Sequence, residues 1–182
     1  KSDFSWACID LKKSIWIFGD SYLSYETERW AYYLEQYGYA KNVLINSHPG
    51  ATSGQNYRAL ESLIGFGSPH FILWLSGMND GGDSSSAPSE SWETNRDKFL
   101  TICNNNDIIP IFGTIPTVPT VNNEQKNAWI RSSGYRYIDF AQAVLANSSG
   151  VWGNGMLSGD GVHPSVIGAR ALFCQALIDC PE

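Results

Sequence analysis

The chain has 182 residues, 43% of them apolar or aromatic and 16% charged, a balance that excludes a disordered chain and fits one well-packed domain, 1–182, burying roughly 70% of its unfolded surface. Its formal charge of -6, with no cluster of Lys or Arg, gives no electrostatic footprint for nucleic acid or an anionic membrane. Apolar runs fall far short of the ~20 residues of a membrane-spanning helix, so a water-soluble chain, and a monomer, is expected.

Taken in chain order, short β-branched and aromatic runs alternate with longer stretches of helical period, the pattern of a parallel sheet covered by helices on both faces. Strands are predicted at 14–18, 43–46, 70–75, 108–112 and 136–138. After the first, Trp30, Tyr33, Leu34 and Tyr37 fall at helical spacing, and after the third Trp92, Phe99, Leu100 and Cys103 share one face. Further helices are predicted at 54–64, with Leu60, Leu63 and Ile64 inward, and at 122–132. A last one, at 164–178, opens on Pro164 at a first-turn position and lays Val166, Arg170, Phe173 and Leu177 in a stripe. Two loops, 81–91 and 113–120, leave the carboxyl ends of the third and fourth strands, where open α/β sheets place their ligands.

Cys8, Cys103, Cys174 and Cys180 form no CxxC pair and have no His at ligand spacing, so no zinc site is expected. Between zero and two disulfides are expected; Cys174 and Cys180 are spaced to bridge across the end of the last helix, and the alternative is that Cys103 and Cys174 are small buried residues. An even cysteine count, seven Trp and an Asn-Ser-Ser glycan acceptor at Asn147 fit a secreted or periplasmic protein, with a cytoplasmic one as the alternative. The first residues show no charged leader with a long apolar core, so no signal peptide is read there, and the missing initiator Met suggests trimming.

"GDS" at 19–21 follows the first strand. Alone, Ser21 there reads as a helix cap that satisfies an orphan N–H. "PGATSGQ" places Gly50 after the second strand, "LWLSGMND" places Asn79 after the third, and "GDGVHPS" places Asp160 and His163 before the last helix. A hydroxyl, an imidazole, a carboxylate and hydrogen-bond donors thus meet at one edge of the predicted sheet, the set that acyl transfer requires.

With these four blocks in order, the sequence resembles the SGNH hydrolases, also called the GDSL esterase/lipase family, over most of its length. Its second block differs in lacking the acidic residue that commonly follows the glycine. The resemblance implies a three-layer α/β/α sandwich on a five-stranded parallel, flavodoxin-like sheet, and a serine esterase without metal or cofactor. It implies Ser21 as nucleophile and His163 as its base, with Asp160 orienting the imidazole. For the oxyanion it implies the Ser21 and Gly50 backbone N–H groups and the Asn79 side chain. Asp20 and Asp80 are then expected to hold their turns, His70 to be structural, and His48 to lie at the surface.

Other readings of the same residues are a binuclear metallophosphoesterase, a flavodoxin-like electron carrier and a carbohydrate-binding module. The first wants more His at close spacing, the second a phosphate-cradling glycine after Gly19, and the third leaves Ser21, Asn79, Asp160 and His163 unexplained. Short polar loops at the sheet edge favour a small acyl group. An acidic chain rich in aromatic residues favours a neutral sugar, so an acetyl ester on a carbohydrate is the expected substrate, with a general short-chain ester or a thioester as the alternative. Trp152, in the Gly-rich loop before Asp160, is the candidate aromatic contact for that sugar, with a core position as its alternative; Trp74 and Trp92 fall at core positions.

Overall fold

A computed structural model describes residues 14–24, 30–37, 41–81, 91–145 and 151–180. Cys8, Asn147 and most of the 81–91 loop lie outside them. Five strands, β1 (Ser14–Gly19), β2 (Lys41–Ser47), β3 (Phe71–Leu75), β4 (Ile109–Gly113) and β5 (Arg136–Ile138), form one all-parallel sheet in the order β2-β1-β3-β4-β5. The chain runs outward in one direction from β1 to β2, then returns past β1 to build the other half. The reversal therefore falls at the carboxyl end of β1, where such sheets hold their ligands.

Alternation along the strands feeds two cores. Ile15 and Ile17 of β1 join Leu73 and Leu75 of β3 on one face, while Phe18, Ile72, Trp74 and Phe112 point to the other. Every residue of β3 is buried because it lies mid-sheet with both faces covered. The first face is covered by α1 (Ser21–Ser24), α2 (Trp30–Gln36), α6 (Phe140–Val144) and α7 (Val166–Asp179). The second is covered by α3 (Ser53–Leu63), α4 (Trp92–Asn105) and α5 (Glu124–Ser132). Trp74 stacks on Phe99 with centroids 4.5 Å apart, locking α4 to the centre of the sheet. The fold is thus the three-layer α/β/α sandwich on five parallel strands.

Several details differ from the sequence expectation. In α7 the cap is Ser165, whose hydroxyl accepts from the N–H groups of Ile167 and Gly168, so Pro164 stands before the helix rather than in its first turn. Its buried face is Gly168, Ala169, Leu172 and Ala176, while Val166 and Arg170 are exposed and Phe173 and Leu177 only partly covered. Apolar residues occupy most of the helix circumference, which blurs the period. Its small residues are what let the helix approach its neighbours. Tyr37, just past α2, is largely exposed, with its ring beside those of Tyr33 and Phe173.

Cys103, Cys174 and Cys180 are free thiols, so the 174–180 bridge does not form. Six helical residues rise about 9 Å, beyond the ~7 Å between Cα atoms that a disulfide spans. Cys103 is buried as expected, but Cys174 is exposed. Among the described residues no helix is long and apolar enough to cross a membrane.

Candidate active site

β1 ends at Gly19, paired with Ser47 of β2 and Leu75 of β3, so the next residues emerge between the two neighbouring strand ends. Asp20 makes the turn: its Oδ1 accepts the Tyr22 N–H at 3.0 Å, an Asx turn that starts α1. The capping role that the isolated motif assigns to Ser21 is therefore taken by its neighbour. Ser21 is left with its hydroxyl directed elsewhere, 4% exposed, 2.9 Å from His163 Nε2.

His163 reaches that position from the loop before α7. Asp160, three residues earlier, places Oδ2 2.7 Å from His163 Nδ1. Its Oδ1 accepts from the Ser158 hydroxyl and from the Val162 and His163 backbone N–H groups at 2.6, 2.9 and 3.0 Å. These donors, the Ser158 hydroxyl foremost, hold the Asp160 carboxyl far below the usual carboxylate range. One carboxylate thus both shapes the loop and faces the imidazole, and the three side chains form a continuous chain from Asp160 through His163 to Ser21.

Asn79 sits in a 3-10 turn (Met78–Asp80) after β3. Gly77 opens that turn at φ 132°, and a Cβ there would meet the Trp92 ring at 2.6 Å, so the turn needs glycine. The Asn79 side-chain amide donates to the Ala51 carbonyl at 3.0 Å and to Asp20 Oδ2 at 3.3 Å. Gly50, at φ 77°, lies in the turn closed by the Ala51 N–H to His48 carbonyl bond. That turn is tied to the Ser21 turn by Ser47 Oγ, which donates to the Asp20 carbonyl at 2.9 Å. All five expected residues, Ser21, Gly50, Asn79, Asp160 and His163, therefore lie on loops at the same sheet edge, three of them in direct hydrogen-bonded contact.

Asp20 is fully buried, and its pKa is raised to about 7, chiefly by desolvation and further by the nearby Asp80 charge. Asp80 does not simply close its own turn: its Oδ1 accepts the Ser53 N–H at 2.8 Å, at the start of α3, whose cap is the reciprocal Thr52–Gln55 box. His70 bonds Ser14 at the far end of the sheet and is structural, and His48 is exposed.

The sequence reading missed two anchors. The Tyr22 hydroxyl donates to the Val162 carbonyl at 2.7 Å, joining α1 to the histidine loop. Lys126 on α5, 7% exposed, donates to the carbonyls of Gly77 and Gly81 and to Asn123 Oδ1 at 3.2, 2.6 and 3.0 Å, clamping both ends of the Asn79 turn. The sequence carries no signal for it, because the buried face of α5 is itself largely polar, with Asn127 beside Lys126 and only Ile130 apolar.

Trp152 takes the core position of its two alternatives. It is 7% exposed, packs beside Tyr22 and donates its indole N–H to the Thr117 carbonyl at 2.7 Å, so it is a core residue that pins the loop after β4 and offers no face to a sugar. That loop also buries Ile115 and Val118 rather than standing open. Trp74 and Trp92 are buried, as expected.

No family model matches the sequence, and no curated protein does. Solved structures do match in fold. A protein assigned to the lipolytic G-D-S-L family from Desulfitobacterium hafniense DCB-2 superposes with a TM-score of 0.76 at 19% identity, over 92% of this chain and 99% of that one. A member of the same family from Veillonella parvula DSM 2008 gives 0.69 at 20% identity, over 91% and 96%. The psychrotrophic esterase EstA from Pseudoalteromonas sp. gives 0.68 at 16% identity, over 92% and 96%. With the sheet order, the reversal at β1 and the four loops already described, the fold of this chain is that of the G-D-S-L, or SGNH, hydrolases.

Proposed function

We propose that the protein is a serine esterase that hydrolyses short acyl esters, most favourably acetyl esters of a carbohydrate. The observation that carries this reading is the unbroken contact from Asp160 Oδ2 to His163 Nδ1 and from His163 Nε2 to Ser21 Oγ. A serine hydroxyl is a weak nucleophile until a base can take its proton within hydrogen-bond reach.

In this reading Ser21 Oγ attacks the ester carbonyl carbon as His163 Nε2 takes the hydroxyl proton. Asp160, ionised, fixes the imidazole tautomer and stabilises the imidazolium. The carbonyl oxygen becomes an anion met by the Ser21 and Gly50 backbone N–H groups and by Asn79, whose longer bond to Asp20 is the one exchanged for the oxyanion. Collapse breaks the acyl C–O bond, and the proton on His163 passes to the departing alcohol. Water, deprotonated by the same imidazole, then splits the acyl-enzyme to a carboxylic acid and free Ser21.

A small acyl group is supported by the buried Ile115 and Val118, which leave the loop after β4 filled with its own side chains. A neutral alcohol is supported by the net negative charge and by Lys126 being committed to backbone oxygens. The test is a series of p-nitrophenyl esters from two to twelve carbons together with acetylated oligosaccharides, run on wild type, Ser21→Ala and His163→Ala. The expected result is preference for the shortest acyl chains and a loss on the order of 10⁶-fold in turnover for either variant. Equal rates in Ser21→Ala would refute the nucleophile, and preference for long chains would refute the short-acyl reading.

A further inference from the structure

Asp160 and His163 ride on a hairpin whose arms meet at Ser158. Leu157 pairs with Pro164 in an antiparallel bridge, and the Ser165 N–H donates to the Met156 carbonyl at 2.7 Å. One step further in, the Ser158 N–H donates to the His163 carbonyl at 2.8 Å. The Ser158 carbonyl accepts from the Gly161 N–H at 3.1 Å, closing a turn over 158–161 that ends on Gly161 at φ 73°. Ser158 therefore stands across the hairpin from His163, with Asp160 at the tip between them.

The turn's own backbone supplies Asp160 with two partners. The N–H groups of Val162 and His163 reach Oδ1 at 2.9 and 3.0 Å, the local bonding that an Asp makes to the chain two and three residues on. The third donor to Oδ1 is a side chain from the opposite arm. The Ser158 hydroxyl lies at 2.6 Å, shorter than either backbone bond and in the range of a hydroxyl that donates to a charged oxygen.

That third bond bears on the imidazole. The torsion that turns a carboxylate about its last bond is broad, without steep staggered wells. Partners, and not rotamer preference, thus set the plane in which Oδ2 meets His163 Nδ1 at 2.7 Å. The site is also wet, since the Asp160 side chain is 37% exposed. Water in place of the hydroxyl would solvate the carboxylate without holding its plane.

We infer that Ser158 is a positioning residue for the Asp160–His163 pair: its hydroxyl pins Asp160 Oδ1 so that Oδ2 stays on His163 Nδ1, and it acts on Ser21 only through them. The kinetic consequence rests on the esterase reading; the effect on the imidazole does not.

One measurement needs no turnover. The His163 Nδ1 proton, facing a carboxylate, is expected as a resolved low-field line in ¹H spectra of the wild-type protein, assigned by its loss in His163→Gln. Ser158→Thr, which keeps a hydroxyl, is expected to retain the line, and Ser158→Ala to lose it to exchange with water. On p-nitrophenyl acetate, kcat is expected to fall about tenfold in Ser158→Ala, short of the ~10²-fold of an ångström's misplacement, with KM unchanged. Ser158→Thr is expected to recover most of that loss. In an Asp160→Asn background, Ser158→Ala is expected to change kcat by less than about twofold, because residues that act as one unit do not add.

An equal loss in both backgrounds would make Ser158 a support of the hairpin alone and overturn the inference. A wild-type kcat in Ser158→Ala would overturn it too, as would a low-field line that is absent from wild type or unchanged in Ser158→Ala. A line lost in Ser158→Ala and kept in Ser158→Thr, in a protein that hydrolyses no ester, would uphold the positioning role and sink only the esterase reading.

Discussion

The Tyr22 hydroxyl donates to the Val162 carbonyl at 2.7 Å, bonding the residue after Ser21 to the residue before His163. The Tyr22 ring is buried beside Trp152 and faces the His163 imidazole at a centroid distance of 6.4 Å. One side chain thus sets the spacing between two loops 140 residues apart in sequence.

Tyr22→Phe keeps the ring and deletes this bond. It should cost about 1 kcal/mol of stability and lower kcat roughly three- to thirty-fold, less than the ~10²-fold of an ångström's misplacement. KM should change little, because Tyr22 positions the loop and is not expected to touch substrate. Urea unfolding and steady-state kinetics on p-nitrophenyl acetate check both; a wild-type kcat would show that the loop holds itself.

Asp160→Asn retains an oxygen to accept from Ser158, Val162 and His163 while presenting an amide N–H to His163 Nδ1. The fold should persist and kcat should fall by on the order of 10⁴-fold, the scale of a wrong tautomer. Asp160→Ala should also lose loop stability, because three donors lose their acceptor. If Asp160→Asn keeps more than a tenth of wild-type turnover, the carboxylate serves the loop alone.

Asn79→Ala should lower kcat by roughly 10²- to 10³-fold with little change in KM, the signature of a donor used in the transition state. Lys126→Met should reach the same turn indirectly. Three oxygens lose a charged donor, so stability should fall by about 2–3 kcal/mol, and kcat should drop with it by less than in Asn79→Ala. Thermal melts alongside kinetics separate the two; a Lys126→Met protein as active as wild type would mean the turn needs no clamp.

Asp20 should make stability fall with rising pH. Its folded pKa is raised from 3.8 to about 7 by burial and the neighbouring Asp80 carboxylate. Between those values the folded state holds a proton that the unfolded state has released, so stability decreases from about pH 4 to about pH 7 and levels off above. The groups around Asp20 are Asp80, the Asn79 amide and Tyr22, whose own hydroxyl is pushed well upward by burial and does not titrate in this window. Urea midpoints at pH 4, 5.5, 7 and 8.5 on wild type and Asp20→Asn check this. The decline should be present in the first and absent in the second; equal slopes would assign it to other groups.

Much of the fold was legible in the chain. β1 and β3 read as unbroken apolar runs because mid-sheet parallel strands are covered on both faces. The helix stripe of Trp92, Phe99 and Cys103 faces the core because α4 has one buried side and one wet one. α7 resisted the same reasoning, since a helix apolar on most sides carries no period from which to choose its face. Trp152 stayed open for a related reason: a Trp in a glycine-rich loop looks the same whether its ring turns to solvent or folds under the loop.

By itself, then, the sequence determined the alternation of strands and helices, the parallel sheet they imply, and the four short blocks carrying the chemistry. Each of these depends on residues near one another along the chain. Tertiary structure alone decided that Asp20 and not Ser21 caps α1, that Tyr22 ties the histidine loop, and that Lys126 clamps the Asn79 turn. Those are contacts between distant segments, where distance and orientation act through space and leave no periodic trace in the order of residues.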